Sequence, residues 1–375
     1  MRVILTGGGT GGHLFPAIAL AQKFKDCTTA DILFVGSKKG QDRSIITRQG
    51  FTSKAMDLEG FKGKGILKKL SSLFKTIKGL FISISIIRGF RPDLVVGTGG
   101  YSSVPVVFMA SIMGIKTVLL EQNVVPGLAN RMLTPFVHTV FTAFKESISF
   151  FPEKKVMFSG NPIRREITAH KLIDSSKKGD RFNILIMGGS QGAHQINLAM
   201  IDALDHLLDI KDKINIIHQT GRKDLPVLEI AYNERRFSAR VVRFIDDMGR
   251  AYSESDLVIC RGGATTLSEL MVCGKASIII PFPDAADNHQ EMNAEALEQK
   301  GAALVIRSGD LSGRYLADVI KGLYRDTKGL REMERAALIM SRPDATKLIV
   351  EECCRLVGES RLKIEYRETM VNSQL

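Results

Sequence analysis

The sequence predicts an α/β protein of two doubly wound domains facing a cleft. Three observations carry that expectation. Runs of strand length recur that are apolar throughout rather than alternating, as in parallel strands covered on both faces. Helical patterns separate these runs. The opening design of strand, glycine cluster and helix then starts again near Phe182. A length of 375 residues suits two domains of ordinary size.

The first half opens on Val3-Ile4-Leu5-Thr6, followed by Gly7-Gly8-Gly9-Thr10-Gly11-Gly12-His13. A helix is expected over 15–24, with Pro16 in its first turn. Further strands are expected at 32–35, 94–96, 117–120 and 139–141. The second half offers strands at 183–187, 214–218, 240–244, 257–260 and 277–280. Its first strand runs into Gly188-Gly189-Ser190-Gln191-Gly192. Gly160-Asn161-Pro162 marks a turn-rich boundary, so the domains are read as 1–160 and 161–340. The polar run from Asp174 to Asp180 reads as a surface loop, and 359–375 as a polar tail.

Composition narrows the class. The chain is 44% apolar and 25% charged, as in a globular protein, and much of its glycine sits in short clusters that mark loops. The net charge of +12 points to nucleic acid, an anionic membrane or a phosphorylated substrate. Cys27, Cys260, Cys273, Cys353 and Cys354 form no CxxC and no metal spacing, which fits a reduced, cytosolic compartment. The first apolar run is too short for a signal peptide, and no segment approaches 18 uninterrupted apolar residues.

Three loops share one design: Gly7 to His13, Gly97-Thr98-Gly99-Gly100-Tyr101, and Gly188 to Gly192. Backbone without Cβ approaches a ligand closely, and a helix N-terminus offers N–H groups to an anion. Phosphate or sugar-phosphate binding follows as the expectation. Gly7, Gly9 and Gly12 also match a dinucleotide fingerprint. That fingerprint wants an acid at the end of the second strand to hold a ribose. Here the strand runs out in Gly36-Ser37-Lys38-Lys39, which argues against NAD but leaves NADP open. A fourth element, Arg261-Gly262-Gly263-Ala264-Thr265-Thr266-Leu267-Ser268-Glu269, starts a helix that Gly274 should end. Its first-turn N–H groups and threonine hydroxyls suit a diphosphate, and Glu269 is placed to accept ribose hydroxyls. An ordinary helix start with a solvated Glu269 would read the same way.

Eight stretches together resemble a known family. They are TGGGTGGHLFPA, GTGGYSSVP, EQNVVPGLANR, SGNPIR, MGGSQGA, FIDDM, CRGGATTLSEL and PFPDAADNHQEMNA, in family order from residue 6 to residue 294. The family is that of the bacterial peptidoglycan N-acetylglucosaminyltransferases, which convert lipid I to lipid II. The resemblance implies a GT-B fold of two Rossmann-like domains with the active site between them. Arg342-Pro343-Asp344 and an amphipathic helix through Leu356 look like the terminal helix that returns to the first domain, within 341–358. By motif position, the resemblance puts Ser190 and Arg164 near the diphosphate and the backbone of Ile245 beside the uracil. Ala264, Thr265, Thr266, Leu267, Ser268 and Glu269 wrap diphosphate and ribose. Gln290 and Asn123 fall on sugar hydroxyls, while Thr10, Gly11 and Gly12 close over the donor. Two departures stand out. Leu120 replaces a histidine found in some relatives, and Gly262 a serine, so neither of those roles is available here.

The reaction so implied is inverting transfer of N-acetylglucosamine from UDP-N-acetylglucosamine to the 4-hydroxyl of a muramyl peptide carried on a polyprenyl diphosphate. His13, at a helix N-terminus that favours the neutral imidazole, is the candidate base. Glu121 is the second candidate, and capping or acceptor-phosphate binding by His13 stays open. Neither a cofactor nor a metal is expected. Asp246-Asp247 is the nearest thing to a metal motif, but adjacent residues point apart.

The segment 61–91 carries Lys62, Lys64, Lys68, Lys69, Lys75, Lys78, Arg88 and Arg91 and no acid. Leu70, Leu73, Ile77, Leu80, Ile84 and Ile87 recur at helical spacing, widened by Phe74 and Phe81. An interfacial patch on anionic lipid is expected, at the cytoplasmic face of the plasma membrane. A core helix with a wet basic side is the plainer alternative. No recognisable nucleic-acid module accompanies the charge, so nucleic acid is not expected. A nucleotide-sugar epimerase, an NADP oxidoreductase and an inactive nucleotide-sugar sensor are the competing readings.

Overall fold

The computed structural model describes residues 1–8, 11–37, 42–56, 66–170, 180–189 and 191–358. The chain divides into one unit of Met1–Arg164 with Asp344–Leu375, and a second of Arg165–Pro343.

The first unit carries β1 (Arg2–Thr6), α1 (Gly11–Cys27), β2 (Asp31–Ser37), α2 (Asp42–Arg48), β3 (Thr52–Met56) and α3 (Ile66–Phe90). It continues with β4 (Leu94–Gly97), α4 (Ser103–Ile112), β5 (Lys116–Glu121), α5 (Leu128–Leu133), β6 (Thr139–Thr142) and β7 (Val156–Phe158). These strands form one parallel sheet in the order β3-β2-β1-β4-β5-β6-β7. Alternate residues go to opposite faces. Val3, Leu5, Ile32, Phe34, Leu94 and Val96 pack with α1 on one side. Ile4, Leu33, Val35, Val95 and Leu119 pack with Ile86 and Ile87 of α3 and Val106 and Val107 of α4 on the other. Burial on both faces is why the strands read as unbroken apolar runs.

The second unit runs α6 (Arg165–His170), β8 (Phe182–Met187), α7 (His194–His206), β9 (Ile214–Gln219), α8 (Leu225–Glu234), β10 (Ala239–Val242) and α9 (Met248–Glu254). Then come β11 (Leu257–Cys260), α10 (Ala264–Cys273), β12 (Ala276–Ile279), α11 (His289–Glu298), β13 (Leu304–Val305), α12 (Gly313–Arg325) and α13 (Thr327–Met340). Its parallel sheet has the order β10-β9-β8-β11-β12-β13. Gly274 ends α10 in a left-handed C-cap, where the sequence placed it. The last helix, α14 (Ala345–Leu356), belongs to the first unit. It sinks Ile349, Val350, Cys353 and Cys354 into the face covered by α1.

Two details differ from expectation. α1 begins at Gly11, so Pro16 lies inside the helix rather than in its first turn. Lacking an N–H, Pro16 donates no bond back to the preceding turn. Three strands also escaped the apolar pattern: β3, β7 and β13, all at sheet edges, where less apolar surface is buried.

Candidate functional site

Each sheet reverses its strand order once, between β1 and β4 in the first unit and between β8 and β11 in the second. Loops at the carboxyl ends of the strands flanking such a point leave room for a ligand. The glycine clusters fall on these loops. They follow β1 and β4 in one unit, and β8 and β11 in the other.

In the first unit the loops after β1 and β4 press together around His13. This residue sits in the first turn of α1, after Gly11 and Gly12. A Cβ on Gly99 would come within 2.8 Å of His13 Cε1 and Nδ1. The imidazole thus lies on bare backbone, a contact only glycine allows. Beside it, a hollow is lined by Gly7, His13, Gly36, Arg43, Ser53 and Lys54 over an apolar floor of Leu5, Leu14 and Phe34. Gln122, next to the end of β5, donates through Nε2 to the carbonyl of Thr98 at 3.1 Å and so ties the loop after β5 to the loop after β4.

Glu121 is buried at the end of β5. Its Oε1 accepts from the Asn123 amide at 3.0 Å and from Asn123 Nδ2 at 3.2 Å. Its Oε2 accepts from the Gly127 amide at 3.0 Å and from Asn130 Nδ2 at 2.8 Å. Burial raises its pKa against the pull of these donors. The carboxylate therefore organises the turn into α5. It also uses one donor of Asn123, the side chain expected on a sugar hydroxyl. Arg164, the last residue of this unit before the chain enters the second, lays its guanidinium over the Phe15 ring at 4.3 Å. Thr10 lies outside the described residues.

In the second unit, α10 starts after Gly263 and points the N–H groups of its first turn out of the sheet's carboxyl edge. Ala264 and Thr265 are buried there, and Thr266 is half-buried. Leu267 is fully buried, and Ser268 returns its hydroxyl to the Ala264 carbonyl at 2.8 Å, so these two side chains serve the fold. Glu269 is buried rather than solvated, and its Oε2 accepts from the Tyr252 hydroxyl at 3.0 Å. Gln290, in the first turn of α11, accepts the Phe282 amide at 3.0 Å. A Cβ on Gly262 would meet the Gln290 carbonyl at 2.3 Å, so the loop after β11 and the start of α11 touch directly. Arg261 reaches the carbonyls of Ile280 and Pro281 and Gln195 Oε1, which ties the same loop to β12 and α7. Ile245 is buried, with its amide donating to Gln219 Oε1 at 2.8 Å. Asp247 caps α9 by accepting the Arg250 amide at 2.9 Å, an ordinary helix-start role. Ser190 lies outside the described residues.

Residues 3–142 match the glycosyltransferase family 28 N-terminal domain, and residues 183–349 match the glycosyltransferase family 28 C-terminal domain. The UDP-N-acetylglucosamine--N-acetylmuramyl-(pentapeptide) pyrophosphoryl-undecaprenol N-acetylglucosamine transferase of Myxococcus xanthus is 46% identical over 361 residues, 96% of this chain and 94% of that protein. The chain belongs to glycosyltransferase family 28. Its two parallel α/β units are those of the GT-B fold. The crystal structure of MurG from Acinetobacter baumannii matches with a TM-score of 0.76 at 29% identity, over 94% of this chain and 99% of that one. The UDP-N-acetylglucosamine 2-epimerase of Neisseria meningitidis, solved with UDP-N-acetylglucosamine, shares the fold alone: TM-score 0.68, 14% identity, 95% and 100% covered.

Several residues at these loops went unnoticed in the sequence. Phe15 under Arg164, Tyr252 beside Glu269, Asn130 on Glu121, and Gln122 and Gln219 between loops are all brought in from other elements. One weak signal was available. Gln122 and Gln219 are polar side chains at the carboxyl ends of apolar strands that neighbour the switch-point strands β4 and β8.

Proposed function

We propose that this protein is an inverting glycosyltransferase that moves N-acetylglucosamine from UDP-N-acetylglucosamine to the muramyl 4-hydroxyl of undecaprenyl-diphospho-muramoylpentapeptide. The observation that carries this reading is the 46% identity to the Myxococcus xanthus transferase across 96% of the chain. The glycine loops at both switch points are what a diphosphate-bearing donor and a diphosphate-bearing acceptor require.

The chemistry divides into two tasks. A base takes the proton of the attacking hydroxyl, and we assign it to His13, packed on Gly99 beside Arg43 and Lys54. A positioned base contributes roughly 10²–10⁴-fold. The departing diphosphate needs oriented positive charge. The first-turn N–H groups at Ala264, Thr265 and Thr266, with Ser190 and Arg164, supply it in this reading. Glu269 takes ribose hydroxyls, Ile245 the uracil, Gln290 and Asn123 the sugar, and Thr10, Gly11 and Gly12 close over the donor. Glu121 is placed behind Asn123 as a support.

The acceptor's polyprenyl chain puts the reaction at a bilayer, and we place the protein peripherally on the cytoplasmic face of the plasma membrane. Among the described residues no helix is long and apolar enough to cross a membrane. On α3, Phe81 is 69% exposed between the exposed cations Lys78 and Arg88. α4, which packs on α3, exposes Ile112, and α5, which packs on α4, exposes Met132, at 60% and 59%. Leu70, Leu73, Phe74 and Ile77 lie outside the described side chains. The deciding experiment incubates the protein with labelled UDP-N-acetylglucosamine and membranes containing lipid I. Labelled lipid product is expected, and its absence with active substrate would end this reading.

A further inference from the structure

The amide of Ile245 and the carbonyl of Gly189 belong to different loops, yet a single buried side chain holds both. Gln219 is the last residue of β9, paired in register with Met187 of β8 on one side and Val242 of β10 on the other. The loops that follow those two neighbours are the glycine loop 188–192 and the segment carrying Ile245. Gln219 Nε2 donates to the Gly189 carbonyl at 2.8 Å, and Gln219 Oε1 accepts from the Ile245 amide at 2.8 Å. The side chain is buried, and its bond to the Ile245 amide is shielded from competing water.

The surroundings leave little freedom. A Cβ on Gly192 would stand 2.0 Å from the Thr220 carbonyl, and one on Gly221 would stand 2.2 Å from the Gln191 carbonyl. The glycine loop is thus pressed against the residues right after Gln219. Asn197 of α7 fixes that stretch from behind, donating through Nδ2 to the Thr220 carbonyl at 2.9 Å and to Asp224 at 2.8 Å.

We propose that Gln219 is a positioning residue for the nucleotide: it sets the glycine loop in register with the base-reading segment and leaves Ile245 to read the base through its carbonyl. This rests on the donor reading given above. Donors and acceptors decide which base fits. With its N–H held by Gln219, Ile245 offers a base only an acceptor. Uracil carries a donor at N3, whereas cytosine carries an acceptor there and is repelled. Glutamine is the side chain that satisfies both ends, because it alone among residues of this length and shape pairs an amide donor with a carbonyl acceptor.

The test uses the full chain with two substitutions, Gln219→Met and Gln219→Glu. Calorimetry measures UDP and CDP binding, and steady-state assays give KM and kcat for UDP-N-acetylglucosamine. Gln219→Met removes both bonds at nearly constant volume. It should raise the UDP Kd and the donor KM at least tenfold, with kcat within threefold of the parent. It should also narrow the preference for UDP over CDP, because the released Ile245 amide can donate to cytosine N3. Gln219→Glu keeps an acceptor for that amide but sets a carboxylate against the Gly189 carbonyl. It should weaken UDP while retaining the preference over CDP, and it stands as the test if the methionine variant does not fold. UDP affinity within twofold of the parent in the folded variants would overturn the proposal. So would an equal loss of UDP and CDP in Gln219→Met, the mark of a merely loosened domain. A parent that binds no UDP would sink the donor reading, and this inference with it.

Discussion

His13 rests its imidazole on the backbone of Gly99, at a spacing that no Cβ could share. That contact fixes the ring from the side of β4 while α1 fixes its backbone. Gly99→Ala should therefore displace the ring without touching the nucleotide half. Transfer should slow at least tenfold, and UDP affinity should stay within twofold. His13→Ala should lose about 10²–10⁴-fold in single-turnover rate, as expected for a missing base. A His13→Ala rate within threefold of the parent would remove it from the chemistry.

Glu121 makes a contrasting case, a buried acid with four donors around it. Glu121→Gln replaces one acceptor oxygen with an NH₂ that confronts two of them. Stability should fall by about 2–4 kcal/mol, from lost charge-assisted hydrogen bonds and mismatched donors. The shape of the pH–rate profile should not change. Urea unfolding and a pH–rate series check both. A variant as stable as the parent that loses transfer together with the acidic limb of the profile would make Glu121 the base after all.

Tyr252 orients Glu269 from the side of α9. Glu269→Ala should weaken UDP by about 1.5–3 kcal/mol, the range for hydrogen bonds to a charged group. Tyr252→Phe keeps the carboxylate and frees its orientation, so its loss should be smaller and in the same direction. Calorimetry with UDP decides; unchanged affinity in Glu269→Ala would exclude that residue from the ribose.

His218 gives the second unit an acid-sensitive core. It is fully buried between the Tyr232 hydroxyl at 2.9 Å and Asn197 Oδ1 at 3.1 Å. Burial lowers its pKa from 6.5 to about 3. Between those values the unfolded chain holds a proton that the folded chain does not. The stability it contributes is therefore complete above pH 6.5 and is lost as pH falls toward 3, by at most about 1.4 kcal/mol per pH unit. Urea unfolding at neutral and acid pH should show this slope in the parent and a shallower one in His218→Gln. Equal slopes would mean that His218 does not govern the acid response.

The central strands were legible because they are buried on both faces and carry little but Ile, Leu and Val. Thr52-Ser53-Lys54-Ala55-Met56 was not, because an edge strand with two exposed positions beside Lys54 has no apolar signature. The glycine loops announced themselves by composition, since close backbone approach excludes other residues. What composition hid was the choice of partners. Glu269 read equally well as a solvated helix residue, and only the fold brings Tyr252 against it. Gln219 looked like a strand end, and its two bonds run to residues 30 and 26 positions away along the chain. No local spacing encodes contacts of that length.

The membrane face can be tested on residues whose exposure is known. Phe81 projects from α3 with Lys78 and Arg88 exposed on the same helix. Burying a side chain of this size in acyl chains contributes about 1.5–3 kcal/mol. Each cation near an anionic surface adds about 1 kcal/mol. The three together supply roughly 4 kcal/mol, enough for reversible attachment and too little for a permanent anchor. Attachment should weaken with salt, because screening shortens the reach of the charges but leaves the phenyl ring unaffected. Phe81→Ser with Lys78→Glu and Arg88→Glu should release the protein from anionic vesicles at low salt and slow transfer to lipid I. Transfer to a water-soluble acceptor analogue should be spared, since the three altered side chains are exposed and none lines the hollow beside His13. Phe81→Ser alone should leave a residual binding that salt removes. If the triple variant sediments with anionic vesicles as well as the parent does, α3 is a core helix with a wet basic side, and the bilayer is met elsewhere.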